Sequence, residues 1–254
     1  MGDDFFESRK IMTTRELASK IDHTILKPEA TLAEVQRVVA EAREHHFASA
    51  CIAPRWVAQA RPILHASGVR LCTVIGFPHG TSKSTVKAIE AVSAVKDGAD
   101  EIDIVAHLPP LLAGDLTAIK AELLEIVRAA RAGRNDLGIK VIVESALIMK
   151  LSPRDAEAAI AIACNAVRES GCDFIKTSTG FHPAGGASVE AVRLMKKHAQ
   201  GLSVKASGGI RDWPTAKAML EAGADRLGLS GSIAILNEMG TSEAQKQQDK
   251  KPSE

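Results

Sequence analysis

Two lysines define the chemistry open to this chain. Lys176 ends the apolar run Phe174-Ile175 and stands directly before Thr177-Ser178-Thr179-Gly180. Lys205 repeats the design one helical pattern later, in Ser203-Val204-Lys205-Ala206-Ser207-Gly208-Gly209. A strand-end amine beside small polar residues is placed to attack a carbonyl and form a Schiff base. A lysine amine at its ordinary value of about 10.4 is protonated at neutral pH, so such chemistry needs desolvation or a neighbouring cation to free the lone pair. Lys205, on the next strand and similarly directed, would supply that cation. The competing reading makes Lys176 a rim lysine paired with Asp173 or Glu144.

The elements that must carry these lysines alternate along the chain. Short apolar runs predict strands at 21–26, 48–53, 69–75, 101–105, 140–144, 174–177, 203–207 and 226–230. Segments of helical period fall between them at 32–45, 56–66, 84–96, 116–132, 155–169, 189–198 and 214–221, with a short one at 233–237. Ser152-Pro153 reads as a helix start, and Gly98, Gly133, Gly171, Gly201 and Gly223 read as helix stops. Eight such units predict a single α/β domain, a (β/α)8 TIM barrel over residues 13–238, with its active site at the C-terminal strand ends. An open doubly wound sheet is the alternative. Residues 1–12 read as a flexible leader and 239–254, rich in Gln, Lys, Ser and Glu, as a disordered polar tail.

Period-two alternation puts Asp103, Glu144, Lys176 and Lys205 on one face of their strands, and Ile102, Ile104, Val141, Val143, Ile175 and Val204 on the other. The charged face would then point into the barrel. Ions buried there must be paired, because an unpaired buried charge is strongly destabilising.

Composition narrows the partners. A formal net charge of +1, with 25% charged residues of both signs, offers no footprint for nucleic acid and no polybasic patch for a membrane. A small-molecule substrate is the expectation. Cys51, Cys72, Cys164 and Cys172 form no C-x-x-C pair and have no histidine cluster nearby, so no disulfide framework or zinc site is expected, and a reducing cytoplasm fits. Cys51 reads either as a thiol at the site mouth or as a buried inert one. The N-terminus lacks the apolar core of a signal peptide, and no stretch is long enough to span a bilayer.

Glycines cluster after the last three strands, at Gly180, Gly208-Gly209 and Gly231. In barrels, the loops after strands seven and eight recurrently bind phosphate through backbone N–H groups. Tight turns alone would also use such glycines.

Five segments carry a family resemblance: Ile21-Asp22-His23-Thr24-Ile25-Leu26-Lys27-Pro28, Val74-Ile75-Gly76-Phe77-Pro78-His79-Gly80, Gly98-Ala99-Asp100-Glu101-Ile102-Asp103, Phe174 to Gly180, and Lys205-Ala206-Ser207-Gly208-Gly209-Ile210-Arg211. Together, over Thr14 to Leu236, they resemble deoxyribose-phosphate aldolase. The resemblance implies a class I barrel aldolase, without metal or cofactor, that reversibly cleaves 2-deoxy-D-ribose 5-phosphate to D-glyceraldehyde 3-phosphate and acetaldehyde. It implies Lys176 as the Schiff-base lysine, Lys205 as its activating and proton-relaying partner, Asp103 as the relay aspartate and Asp22 as a further acidic residue of the site. It implies Thr179, Gly180, Gly208, Gly209, Ser230 and Gly231 as phosphate contacts, and a homo-oligomer.

Three departures stand out. His107 and Pro109-Pro110 follow Asp103 where the family carries an asparagine and glycine; Phe181-His182-Pro183 follows Gly180; and the chain contains no tyrosine, whereas some members have a C-terminal one. His107 reads as a base or as an exposed loop histidine. The rival functions are a transaldolase-like Schiff-base enzyme and a barrel that only binds a phosphorylated sugar.

Overall fold

The computed structural model describes residues 12–152 and 154–248. Eight parallel strands close into a barrel in sequence order. They are β1 Ile21–Ile25, β2 Ser49–Ile52, β3 Arg70–Ile75, β4 Glu101–Val105, β5 Gly138–Ile142, β6 Phe174–Lys176, β7 Ser203–Ser207 and β8 Arg226–Leu229. Closure is made where β8 pairs with β1, with Ile21 opposite Leu227 and His23 opposite Leu229. The (β/α)8 expectation therefore holds and the open-sheet alternative falls.

Helices α1 Thr14–Ala18, α2 Leu32–Glu44, α3 Val57–Ala60, α4 Ser84–Lys96, α5 Leu108–Leu112, α6 Leu116–Gly133, α7 Ser145–Leu151, α8 Ala156–Glu169, α9 Val189–His198, α10 Trp213–Glu221 and α11 Ser232–Gln248 surround the strands. Their starts follow from short polar side chains. Thr13 with Glu16 and Thr31 with Glu34 form reciprocal capping boxes on α1 and α2. Asp115, Ser188 and Asp212 each accept an N–H from the first turn of α6, α9 and α10.

The outward face of the strands is the apolar one. Ile102, Ile104, Val141, Val143, Ile175 and Val204 are fully buried against the helices in the main hydrophobic core. Each such side chain contributes roughly 1.5–3 kcal/mol.

Several boundaries differ from the sequence expectation. Among the described residues, α1, α5 and α7 were not anticipated. In α5 the prolines occupy the first turn, where their missing N–H costs nothing, so a pair that reads as a loop instead starts a helix. The region expected as one helix at 56–66 is broken into a 3-10 turn Pro54–Trp56, α3, and a second 3-10 turn Arg61–Leu64 that contains Pro62. α8 starts at Ala156 after Asp155, and Pro153 lies outside the described residues. Gly133 is the last residue of α6 rather than a stop beyond it. α11 is long, not short, and runs past the expected tail boundary at Met239 to Gln248. The rest of that tail, and all but the last residue of the expected leader, lie outside the described residues.

Candidate active site

The inner face of the barrel is a cage of ion pairs centred on Asp103. Its Oδ2 accepts hydrogen bonds from Lys176 Nζ at 2.7 Å and Lys205 Nζ at 2.8 Å. Its Oδ1 accepts from Lys140 Nζ at 2.9 Å and from the Cys72 thiol at 3.2 Å. Three ammonium groups from β5, β6 and β7 thus converge on one carboxylate from β4. Strand register makes this possible, since Lys140 lies opposite Asp103 and Lys205 lies opposite Lys176.

A second layer sits toward the N-terminal ends. Asp22 on β1 pairs with Lys205, and with Arg226 Nη1 at 2.6 Å. Glu101 lies 2.6 Å from Lys140 Nζ and 2.9 Å from Arg70 Nη1. The Lys140 ammonium and the Arg226 guanidinium both lie over the Phe174 ring, at 5.8 and 5.5 Å from its centroid. Gly228, facing inward on β8, leaves room for the Lys205 stem: a Cβ there would stand 3.2 Å from Lys205 Cε.

These groups set one another's charge. Burial pushes the Asp103 carboxyl up, but Lys140, Lys176 and Lys205 outweigh it and hold it well below the usual carboxylate range. Burial likewise opposes ionisation of Asp22, and Lys205, Lys140 and Arg226 overcome it. For Lys205, burial favours the neutral amine, yet Asp103 and Asp22 raise its pKa above the ordinary lysine value and fix it as a cation. The three buried carboxylates Asp22, Glu101 and Asp103 are matched by Lys140, Lys205 and Arg226. With Arg70, which reaches Glu101 from the surface, these carboxylates have four cationic partners before Lys176 is counted. Lys176 is also the lysine of the three with the most exposed side chain, 4% against 0% and 1%.

The rim-lysine reading fails on these contacts. Asp173 pairs with Arg131 Nη2 at 2.9 Å, and Glu144 accepts the Thr179 N–H at 2.9 Å. Glu144 lies just beyond β5 with a left-handed φ of 52° at the start of α7. Cys51 and Cys72 are both fully buried, so the inert-thiol reading of Cys51 fits. Cys51 and Cys72 sulfurs and an Asp103 oxygen lie within 4.8 Å of one another. A metal ion there would face the three ammonium groups already on Asp103, so the arrangement does not favour one.

The predicted phosphate residues gather at the C-terminal ends of β6, β7 and β8. Gly180 and Gly208 approach so closely that a Cβ on Gly208 would stand 3.2 Å from Gly180 Cα, and one on Gly186 would overlap the Gly208 carbonyl oxygen. Backbone fills the space a side chain would need. A Cβ on Gly209 or Gly231 would meet nothing within 4 Å, so both face open space. Ser230 and Gly231 are exposed at the start of α11. The Thr179 N–H is taken by Glu144 and its hydroxyl accepts from the Phe181 N–H at 3.1 Å, so only the hydroxyl proton is left to donate to an anion.

The departures also find their places. His107 precedes α5 and is half-buried, its backbone N–H donating to Glu122. Phe181, from the loop after β6, meets Phe77, from the loop after β3, edge to face at 5.2 Å. These loops follow strands that are not neighbours, so the two rings form an arch over the barrel mouth.

Sequence reasoning did not single out Lys140 or Arg226. The available signal for Lys140 was its alternation with Ile142 and Glu144, which places it on the charged face.

A (β/α)8 barrel with buried lysines at the C-terminal strand ends has the architecture of a Schiff-base aldolase. Residues 17–240 match the family of DeoC/LacD aldolases. The deoxyribose-phosphate aldolase of Mycobacterium tuberculosis is 48% identical over 226 residues, covering 89% of this chain and 96% of that protein. That of Caldanaerobacter subterraneus subsp. tengcongensis is 45% identical over 231 residues, covering 91% and 96%. The tetrameric deoxyribose phosphate aldolase structure from Aeropyrum pernix superposes with a TM-score of 0.81 at 32% identity, over 91% of this chain and 94% of that one. The chain belongs to the DeoC/LacD aldolase family.

Proposed function

We propose that this aldolase reversibly cleaves 2-deoxy-D-ribose 5-phosphate to D-glyceraldehyde 3-phosphate and acetaldehyde, with Lys176 as the nucleophile. The observation that carries the reading is the convergence of Lys176 and Lys205 on Asp103 Oδ2, with Lys205 held by Asp22 as well. The neutral Lys176 amine attacks C1 of the open-chain sugar, and loss of water leaves an iminium. The C3 hydroxyl proton passes to Asp103, the C2–C3 bond breaks, and its electrons flow into the iminium to give an enamine. Glyceraldehyde 3-phosphate leaves. Protonation of the enamine, relayed through Lys205 and Asp103, and hydrolysis then release acetaldehyde and restore Lys176.

Asp22 anchors the relay by holding Lys205 against Asp103. The exposed backbone of Gly180, Gly209 and Gly231, with the Thr179 and Ser230 hydroxyls, faces the phosphate. The names and identity of the relatives support this substrate over the transaldolase-like and binding-only readings.

A homo-oligomer is part of the proposal. Val86 and Ile89, one turn apart on α4, are 50% and 71% exposed and offer an apolar patch for a second copy. Among the described residues no helix is long and apolar enough to cross a membrane. The four free cysteines are all buried, which is compatible with the proposed reducing cytoplasm. No nucleic-acid partner is proposed, given the formal net charge of +1.

Borohydride reduction in the presence of acetaldehyde, followed by peptide mapping, tests the nucleophile. The expected result is one reduced ethyl adduct on Lys176. An adduct on another lysine, or none, defeats the assignment.

A further inference from the structure

His23 sits on β1 beside Asp22 but takes no part in the charge cage. It is 3% exposed, and its ring is held at both nitrogens. Nε2 lies 2.9 Å from Glu41 Oε2 on α2, and Nδ1 lies 2.8 Å from the Ser232 hydroxyl. Burial pushes its pKa below the ordinary histidine value, so the ring is neutral at neutral pH. With its proton on Nε2 facing the Glu41 carboxylate, Nδ1 is an acceptor for the Ser232 O–H, which lies nearer to it, at 2.8 Å, than to its other acceptor, the Leu229 carbonyl, at 3.3 Å. Ser232 is itself fully buried and is the first residue of α11, its hydroxyl also 3.3 Å from the Leu229 carbonyl.

The position of this contact matters. His23 is the register partner of Leu229, the last residue of β8. Only Ser230 and Gly231 lie between Leu229 and Ser232. One residue therefore fixes both ends of the two-residue loop, the first through the strand pairing and the second through its ring. We infer that His23, braced by Glu41, is a positioning residue for substrate phosphate, setting the Ser230-Gly231 loop and the first turn of α11 without touching the substrate. The inference rests on the reading of Ser230 and Gly231 as phosphate contacts.

The test compares 2-deoxyribose 5-phosphate with unphosphorylated 2-deoxyribose as substrates, and measures inorganic phosphate as a competitive inhibitor. His23→Ala and Ser232→Ala should each raise KM for the phosphorylated sugar and Ki for phosphate by roughly tenfold, the scale of one lost hydrogen bond. In both variants kcat, and kcat/KM for the unphosphorylated sugar, should stay within about twofold. His23→Asn, whose amide oxygen can accept the Ser232 hydroxyl, should recover most of the loss. Ser232→Ala removes a single hydroxyl and carries the test if His23→Ala does not fold. Equal losses on both sugars, or an unchanged Ki, would overturn the positioning role. A wild-type enzyme that neither binds phosphate nor prefers the phosphorylated sugar would instead defeat the phosphate-site reading, and this inference with it.

Discussion

Lys176 and Lys205 are register partners on β6 and β7, and both donate to the same oxygen of Asp103. Two ammonium groups on one carboxylate oxygen repel each other, and Lys205 is locked as a cation by Asp22 as well as Asp103. Lys176, by contrast, has no carboxylate partner beyond Asp103 among its ion pairs. This asymmetry assigns nucleophile and helper between two lysines that look alike in sequence.

Lys176→Ala should lower kcat by at least about a thousandfold, because the other two lysines of the cage are each held by a second carboxylate, Lys140 by Glu101 and Lys205 by Asp22. Single-turnover assays with the phosphorylated sugar measure it. Retention of a tenth of the wild-type rate would contradict the assignment.

Lys205→Leu removes the fixed cation from Asp103 Oδ2, leaving Lys176 as the remaining lysine on that oxygen while Lys140 stays on Oδ1. The remaining carboxylate then favours protonated Lys176, so the pH–rate profile for imine formation should move to the alkaline side, with a loss of about a hundredfold at neutral pH. An unmoved profile would exclude the electrostatic role.

Lys140→Met probes the cage without touching Lys176 or Lys205. It strips Glu101 and Asp103 Oδ1 of a buried cation partner, a change of the kind that costs about 3–5 kcal/mol. Urea denaturation should show a lower midpoint. A midpoint equal to wild type would mean that Glu101 is satisfied by Arg70 and Arg226 alone.

Acid stability follows from Asp22 and Asp103, whose carboxyls are held below their unfolded values. A depressed carboxyl pKa means the unfolded chain binds protons first as pH falls. The stabilisation is complete above the unfolded carboxylate pKa of about 4 and is lost progressively below it, toward the folded values. Thermal melts should therefore show these groups contributing no slope between pH 5 and 7 and a steep fall below about 4. In Asp22→Asn, the part of that fall due to Asp22 should disappear.

Gly228→Ala should act through Lys205. The new methyl would stand 3.0 Å from Ser207 Cβ and 3.2 Å from Lys205 Cε, so the lysine stem must shift. A displacement of that kind should cost roughly ten- to a hundredfold in kcat with a modest loss of stability. Unaltered kinetics would show that the stem has slack.

The inner face was legible because alternation within β4, β6 and β7 separates Asp103, Lys176 and Lys205 from Ile102, Ile175 and Val204. Lys176 and Lys205 are each followed by a glycine-bearing loop, at Gly180 and Gly208-Gly209, which marked the C-terminal side. Lys140 escaped notice because a lysine near the start of a strand reads as an edge residue, and its partners Asp22, Glu101 and Asp103 come from β1 and β4. Closure of the barrel brings them together, and no local pattern encodes that. His23 was hidden for the same reason, since its partner Ser232 lies at the far end of the chain. The left-handed Glu144 gave no glycine to announce it, so α7 was not anticipated.

The barrel keeps its cohesion and its reactivity in concentric shells. The jacket of Ile, Val and Leu between strands and helices is made of interchangeable parts, tolerant of repacking at constant volume. The shaft inside it is a closed set of mutual dependencies, in which Asp22, Glu101, Asp103, Lys140, Lys205 and Arg226 each leave a stranded charge if removed singly. Redesign for heat resistance can proceed freely in the jacket, whereas any remodelling of the shaft has to exchange its charges in compensating groups.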